Sequence, residues 1–320
     1  MEKVEIKGIV AKPGEKAFGF LDVGTTSITT YRIPLAILNG VERGKTLAIL
    51  GGTHGTEFAS IEAVIRTIQD LDPKKMKGTV LAVPVLNGPQ FEFRAAFLSP
   101  IDQLNQNRVF PGDPEGTLSQ RTAHVVFSEI VSKSDALLDC HGGDIGENID
   151  CMVIARQGED EKINRIAREM AACFPTKYIS SFPSSARGMT TTAQDEFGIP
   201  CVISEAGTPY PILERHIQFH YEGIRNNLKY FGILEGKPKM STPAVSPKRY
   251  SFKAKQGGIW HPKVDIGQSV SAGEELGNMT DLFGNILETY TAPENATVTS
   301  MRVFYSVNCG EQLIGLVVLG

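Results

Sequence analysis

The sequence predicts an α/β protein, a mixed, mostly parallel sheet flanked by helices, followed by a small all-β barrel or sandwich. Short apolar runs rich in β-branched residues recur as TLAILGG, TVLAVPVLN, ALLDCHGG, DCMVIAR and IPCVISEAG, and continuous apolar runs mark strands buried on both faces. Segments of helical period lie between several of them, TEFASIEAVIRTIQDL, DEKINRIAREMAACF and ILERHIQFHYEGIRNNLKYFGI, and that alternation is the pattern of helices laid over a sheet. After about residue 235 the pattern changes. EGKPKMSTPAVSPKRY gathers proline, lysine and serine as linkers do, and beyond it lie short β runs broken by glycine and asparagine, with no long helix. The division is placed near residue 240, with a larger domain over 1–240 and a small β domain over 241–320.

The chain of 320 residues is long enough for this arrangement. Its formal charge of -4 comes from 36 acidic and 32 basic residues mixed along the chain. No basic stripe points to nucleic acid and no polybasic tail to a membrane, so a small-molecule partner is expected. The start, MEKVEIKGIV, carries acidic residues where a signal peptide would be basic and then apolar, which predicts a soluble cytoplasmic protein. Five cysteines, Cys140, Cys151, Cys173, Cys201 and Cys309, include no CxxC pair, so they are read mostly as buried apolar fillers.

In open sheets of this class the site lies beyond the carboxyl ends of the strands, where the loops gather. The polar residues that end the apolar runs therefore count. In ILGGTHGTEFAS, residues 49–60, His54 and Glu57 stand three apart at a strand-to-helix turn, a spacing that puts both on one face of a helical turn. ALLDCHGG ends in His141. Two imidazoles and a carboxylate form the ligand set of many catalytic zinc sites, which keep a fourth position for water. HxxE arises often by chance; a second histidine at a strand end, with glycines flanking both to admit close approach and remove bulk, strengthens the metal reading. His124 lies in a helical stretch and His261 in the β module. His216 and His220 share one helix at i,i+4 without a nearby third ligand and are read as a solvated helix face.

A third strand end, VISEAG, offers Glu205. An acid there is either solvated or placed to move a proton, and a dry pocket would raise its pKa. The long segment GPQFEFRAAFLSPIDQLNQNRVFPG supplies Asn107 and Arg108, an amide beside a guanidinium suited to bidentate capture of a carboxylate, and Arg94, able to stabilise an oxyanion. The alternative is that both arginines are surface residues on a long loop.

GGTHGTE, NRVFPG, LDCHGG and SEAG, in that order and at these separations, resemble the succinylglutamate desuccinylase/aspartoacylase family, a branch of the zinc carboxypeptidase fold whose members hydrolyse N-acyl amino acids. The resemblance spans nearly the whole chain, since a small β domain after the catalytic one also fits. It implies one Zn2+ per chain held by His54, Glu57 and His141, with Glu205 as general acid/base, Asn107 and Arg108 on the substrate carboxylate, and Arg94 polarising the scissile carbonyl. Two departures fall in the substrate loop: the family's DLNR reads NQNR here, and NP reads NGP at Asn87, Gly88 and Pro89. The C-terminal module also resembles a biotinyl/lipoyl barrel, but where a carrier presents its modified lysine stands DLFGN. The module is therefore read as a scaffold or cap.

Together these imply a zinc-dependent amidohydrolase acting on a small N-acyl amino acid, with no nucleic acid or membrane partner. Two other classes stay open. A zinc carboxypeptidase acting on short peptides would use the same residues, and a non-catalytic binding protein would be expected to lack a ligand or the base. The sequence also leaves open a homo-oligomer through the β module.

Overall fold

A computed structural model describes residues 2–181 and 187–319. The chain opens with a hairpin, β1 (Val4–Ile6) and β2 (Ile9–Ala11), and two long antiparallel strands, β3 (Glu15–Thr25) and β4 (Thr30–Asn39). The α/β part follows as β5 (Glu42–Leu50), α1 (Phe58–Asp70), β6 (Lys77–Val83), the short α2 (Gly88–Phe93), α3 (Leu118–Glu129), β7 (Ala136–His141) and β8 (Glu147–Ile154). It continues with α4 (Glu161–Ala172), β9 (Tyr178–Ser180), α5 (Met189–Phe197), β10 (Cys201–Gly207) and α6 (Glu214–Tyr230). The remainder is β11 (Ala244–Val245), β12 (Arg249–Lys253), β13 (Gly258–Pro262), β14 (Ser269–Val270), β15 (Glu275–Thr280), β16 (Ile286–Thr291), β17 (Ala296–Arg302), β18 (Ser306–Val307) and β19 (Gln312–Val317). No helix among the described residues is long and apolar enough to cross a membrane.

The main sheet is mixed and flanked by helices, as the sequence predicts. Its parallel strands, β6-β5-β7-β10, occupy the centre. They are buried on both sides because alternate residues feed two cores. Leu47 and Ile49 of β5 join the core under α1, α4 and α6, whereas Ala48 and Leu50 join the one under α3 and α5. Antiparallel strands flank this centre, β4 and β3 on one side and β8 on the other. DCMVIAR, expected among the buried parallel strands, is β8 and runs antiparallel to β10. The reason is the connection: residues 142–146 are too few for a crossover, and a parallel return needs roughly a dozen residues or more.

Helix ends follow local chemistry. Asp160 caps α4 by accepting from the N–H groups of Lys162 and Ile163, and Thr117 with Gln120 forms a reciprocal capping box on α3. The residues after 240 do not hang free from the α/β part. β11 pairs with β9, and β17 pairs with β8 through Ser300↔Ile149, Met301↔Asn148 and Arg302↔Glu147, so the main sheet runs on through β17, β19 and β12. A second sheet, β16-β15-β13-β18, closes over a separate core that includes Trp260, Leu276, Met279, Leu313 and Leu316.

Candidate active site

The parallel centre brings three strand ends side by side. β5 and β7 pair with Leu50 opposite Asp139, and β7 and β10 pair with His141 opposite Glu205. The turn leaving β5 carries His54 and Glu57, the latter at the N-cap of α1. Two glycines make this possible by letting backbone meet backbone. A Cβ on Gly55 would stand 2.3 Å from the Phe91 nitrogen, and one on Gly142 would stand 2.6 Å from the Ala206 carbonyl oxygen. These glycines therefore permit close packing of the loops, and Gly142 also lines the cavity beside His141.

His54, Glu57 and His141 each offer a ligand atom within 4.8 Å of the others. His54 Nδ1 lies 2.9 Å from Glu57 Oε1, and His141 Nδ1 lies 3.0 Å from Glu57 Oε2. The far nitrogens are held from behind. His141 Nε2 sits 2.9 Å from Asp139 Oδ2, whose Oδ1 accepts from Thr53 Oγ1, while His54 Nε2 sits 3.2 Å from Asn105 Oδ1. Two imidazoles with outer nitrogens engaged and inner nitrogens converging on one carboxylate fit a divalent cation.

The electrostatics express the same closeness. Burial works to raise the Glu57 carboxyl, but His141 and His54 overcome it and bring the group down to about 2. Burial likewise works to lower His141, and Asp139 and Glu57 override it and raise the imidazole well above its ordinary range. Glu205 is pushed the other way. Burial, reinforced by Glu57, Glu147 and Asp139 and opposed by His141, raises its carboxyl well above the usual range. Its Oε2 is buried without a hydrogen-bond partner.

A cavity of about 280 Å3 opens on this group, lined also by Phe97, Asn107, Arg108, Glu147, Arg156 and Arg187. Asn107 Oδ1 accepts from the Met189 N–H at 2.9 Å, fastening the segment that carries Asn107 and Arg108 to the start of α5, and Arg108 Nη1 donates to the Asn107 carbonyl oxygen at 2.8 Å. Arg156 is paired with Asp195. Arg94 stands apart: it ends α2 with a left-handed backbone, its side chain is exposed, and it does not line the cavity. Asp144 ties two walls together, accepting from Thr56 Oγ1 in the turn between β5 and α1 and from the Phe97 N–H at 2.6 Å.

The reading of His216 and His220 as a solvated face is overturned. Both are buried, because the apolar stripe of α6, including Ile217, Phe219 and Ile224, turns that face onto β10. His220 Nδ1 lies 2.9 Å from Ser204 Oγ. Sequence reasoning also missed Asp139, Asn105, Glu147 and Arg156. For Asp139 a signal existed, since residues two apart on a strand share a face.

Fold and site define an α/β chain with a His-Glu-His cluster that could hold a metal ion at the carboxyl ends of parallel strands and a buried acid beside it. The chain belongs to the succinylglutamate desuccinylase/aspartoacylase family, the model of whose catalytic domain matches residues 43–231, more than half of the sequence. It is 28% identical over 292 residues to N-alpha-acetyl-L-2,4-diaminobutyric acid deacetylase of Halomonas elongata, covering 88% of this chain and 84% of that protein. Among solved structures it resembles the product-bound ectoine utilization protein EutE (DoeB) of Ruegeria pomeroyi, with a TM-score of 0.88, 22% identity and 100% of both chains covered. It also resembles a succinylglutamate desuccinylase from Silicibacter sp. TM1040, with a TM-score of 0.85, 24% identity and 98% and 97% covered. At these identities the two structures speak for the fold alone.

Proposed function

We propose that the protein is a zinc-dependent amidohydrolase that removes the acyl group from a small N-acyl amino acid. The observation that carries this is the convergence of His54, Glu57 and His141 beside an unpartnered buried acid, Glu205, in one cavity. His54, Glu57 and His141 would hold one zinc ion, which when bound polarises a carbonyl and acidifies water. Glu205 takes the proton of the attacking water and returns it to the nitrogen of the leaving amine, a role that its dry surroundings suit. Arg108 and Arg187 receive the substrate carboxylate, and Asn107 fixes the loop that carries Arg108. The part that the resemblance gives Arg94 would require its loop to turn inward, so the proposal rests on the other residues.

The cavity of about 280 Å3 lies at the small end of ligand pockets, which run roughly 300–1,000 Å3. That size favours an acyl amino acid over a peptide and supports deacylation over carboxypeptidase action. The Halomonas relative, named as a deacetylase of an N-acetylated amino acid, supports the same class.

The test is metal content of the purified protein and of His141→Ala, with hydrolysis of a panel of N-acyl amino acids. Near-stoichiometric zinc lost in the variant, with turnover of a panel member, is the expected result. No bound metal after zinc is added would overturn the proposal.

A further inference from the structure

The turn that carries His54 and Glu57 is bonded, residue by residue, to the chain that walls the cavity. His54 Nε2 lies 3.2 Å from Asn105 Oδ1. The Gly55 N–H donates to Gln90 Oε1, in α2, at 3.1 Å. Thr56 Oγ1 donates to Asp144 Oδ1, and the other oxygen of that carboxylate accepts from the Phe97 N–H at 2.6 Å. The first two bonds are direct, whereas the third passes through an acid that has no task in the reaction above.

Asp144 stands in the connection from β7 to β8 and is 1% exposed, and Thr56 is 0% exposed. A carboxylate so buried costs free energy unless donors satisfy it. The donors that hold it are neutral groups from three places: Thr56 in the turn, Phe97 in the loop, and the adjacent Ile145, whose N–H reaches Oδ1 at 2.6 Å. Asp144 does not line the cavity, but Phe97 does, as do Asn107 and Arg108 just beyond Asn105. The carboxylate therefore acts on the wall through Phe97.

The loop needs such a hold. Of the five non-glycine residues with positive φ among the described residues, three fall within it: Arg94 at 52°, Phe97 at 55° and Gln103 at 58°. Backbone of this kind persists only where its surroundings fix it. Two of the fixings, Phe97 through Asp144 and Asn105 at His54, run to the same turn. When His54 and Glu57 are engaged by a cation their turn loses freedom, and the loop tied to it then has less freedom left to lose.

Resting on the metal-binding part of the proposed function, we propose that Asp144 is a positioning residue that couples occupancy of the His54, Glu57 and His141 site to the order of residues 94–105, the segment that sets Phe97 on the cavity wall. Coupling of this kind is reciprocal, so an ordered loop also strengthens metal binding.

The experiment follows amide hydrogen exchange of the full chain, chelator-stripped and zinc-loaded, over residues 95–99 and 105–110, with the hairpin of β15 and β16 as an unconnected reference. Zinc should slow exchange over 95–99 by about 5–150-fold, the usual range of coupling between two sites, and leave the hairpin unaltered. Thr56→Val removes the hydroxyl that joins turn to carboxylate, while Asp144 keeps Phe97 and Ile145. The zinc effect over 95–99 should then collapse toward one, and that over 105–110 should persist through Asn105. Asp144→Asn should give the same pattern, and Thr56→Val, which alters no charge, is the check that remains if Asp144→Asn does not fold. Because the quantity read is the ratio of exchange with and without zinc, a loss of stability that speeds both leaves it unmoved.

Equal exchange over 95–99 in the two states, protection spread equally to the hairpin, or a zinc effect that Thr56→Val leaves unaltered overturns the proposal while leaving the hydrolase reading intact. If zinc protects 95–99 through Thr56 but no N-acyl amino acid turns over, the coupling stands and the deacylase reading falls. A chain that binds no zinc overturns both.

Discussion

The two ends of the cavity are built differently. At the metal end, His141 and Glu57 are buried, and the outer ring nitrogens of both histidines are engaged, His141 through Asp139 to Thr53 and His54 through Asn105. At the arginine end, Arg108 and Arg187 are exposed, Arg108 closing a short 3-10 turn (Gln106–Arg108) and Arg187 just ahead of α5. The lesson is a division of labour. On the proposed function, groups that would hold a geometry sit at strand ends braced from behind, while groups that would choose a ligand sit on the exposed connections.

Glu205→Gln tests the chemistry most severely. Loss of a general acid/base costs about 10²–10⁴-fold in kcat, and because Gln leaves the three candidate ligands in place, zinc content should stay near one per chain. A variant that loses metal as well would place Glu205 among the bracing groups. Asp139→Asn tests the bracing itself. Removing an outer-shell carboxylate from a ligating histidine typically lowers metal affinity by 10–100-fold, readable by competition with a chelator. An unchanged affinity would mean that the metal end does not depend on its second layer.

Behind the metal end, His220 tests how dry the bracing is. Burial, partly opposed by Glu57, holds its imidazole down to about 3, below the ordinary 6.5 of a histidine. Stability is then indifferent to this group above pH 6.5 and declines as pH falls from there toward 3, because the unfolded chain takes up a proton that the folded chain refuses. Between pH 7 and 5 the wild type should lose about 2 kcal/mol more unfolding free energy than His220→Gln, measured by urea denaturation. Parallel losses in the two proteins would show that His220 titrates normally and that water reaches behind β10.

The same contrast explains what could be read in the sequence. His54, Glu57, His141 and Glu205 were legible because strand-end chemistry leaves a local mark, a polar residue terminating an apolar run. Asp139 left a mark too, two residues before His141 on the same strand face, but Asn105 reaches His54 from a distant loop and no local pattern joins them. Glu147 and Arg156 became meaningful only once the direction of β8 was known, and its apolar text does not distinguish a parallel from an antiparallel strand. No expectation covered β1 to β4. In β3, EKAFGFLDVGT mixes charges and glycines with the alternating apolar residues, so neither a buried run nor a helical period emerges. His216 and His220 were misread because their polarity suggested solvent, whereas the stripe of α6 that surrounds them decides their burial.

The arginine end yields the smaller effects and the sharper test of the division. Arg108→Ala should raise KM by about tenfold or more, the scale of one charge-assisted hydrogen bond, with little change in kcat, because a carboxylate held equally in ground and transition states contributes only uniform binding. Arg94→Ala, measured beside it, should change kcat/KM by less than about threefold, since surface substitutions away from partners usually move energies by only about 0.5 kcal/mol. The side chain is exposed and outside the cavity lining. A large fall in kcat with KM unchanged would mean that the left-handed turn at Arg94 delivers its guanidinium to the reacting carbonyl when substrate binds. A residue from the loop end would then take part in the chemistry, and the boundary drawn between the two ends would have to move.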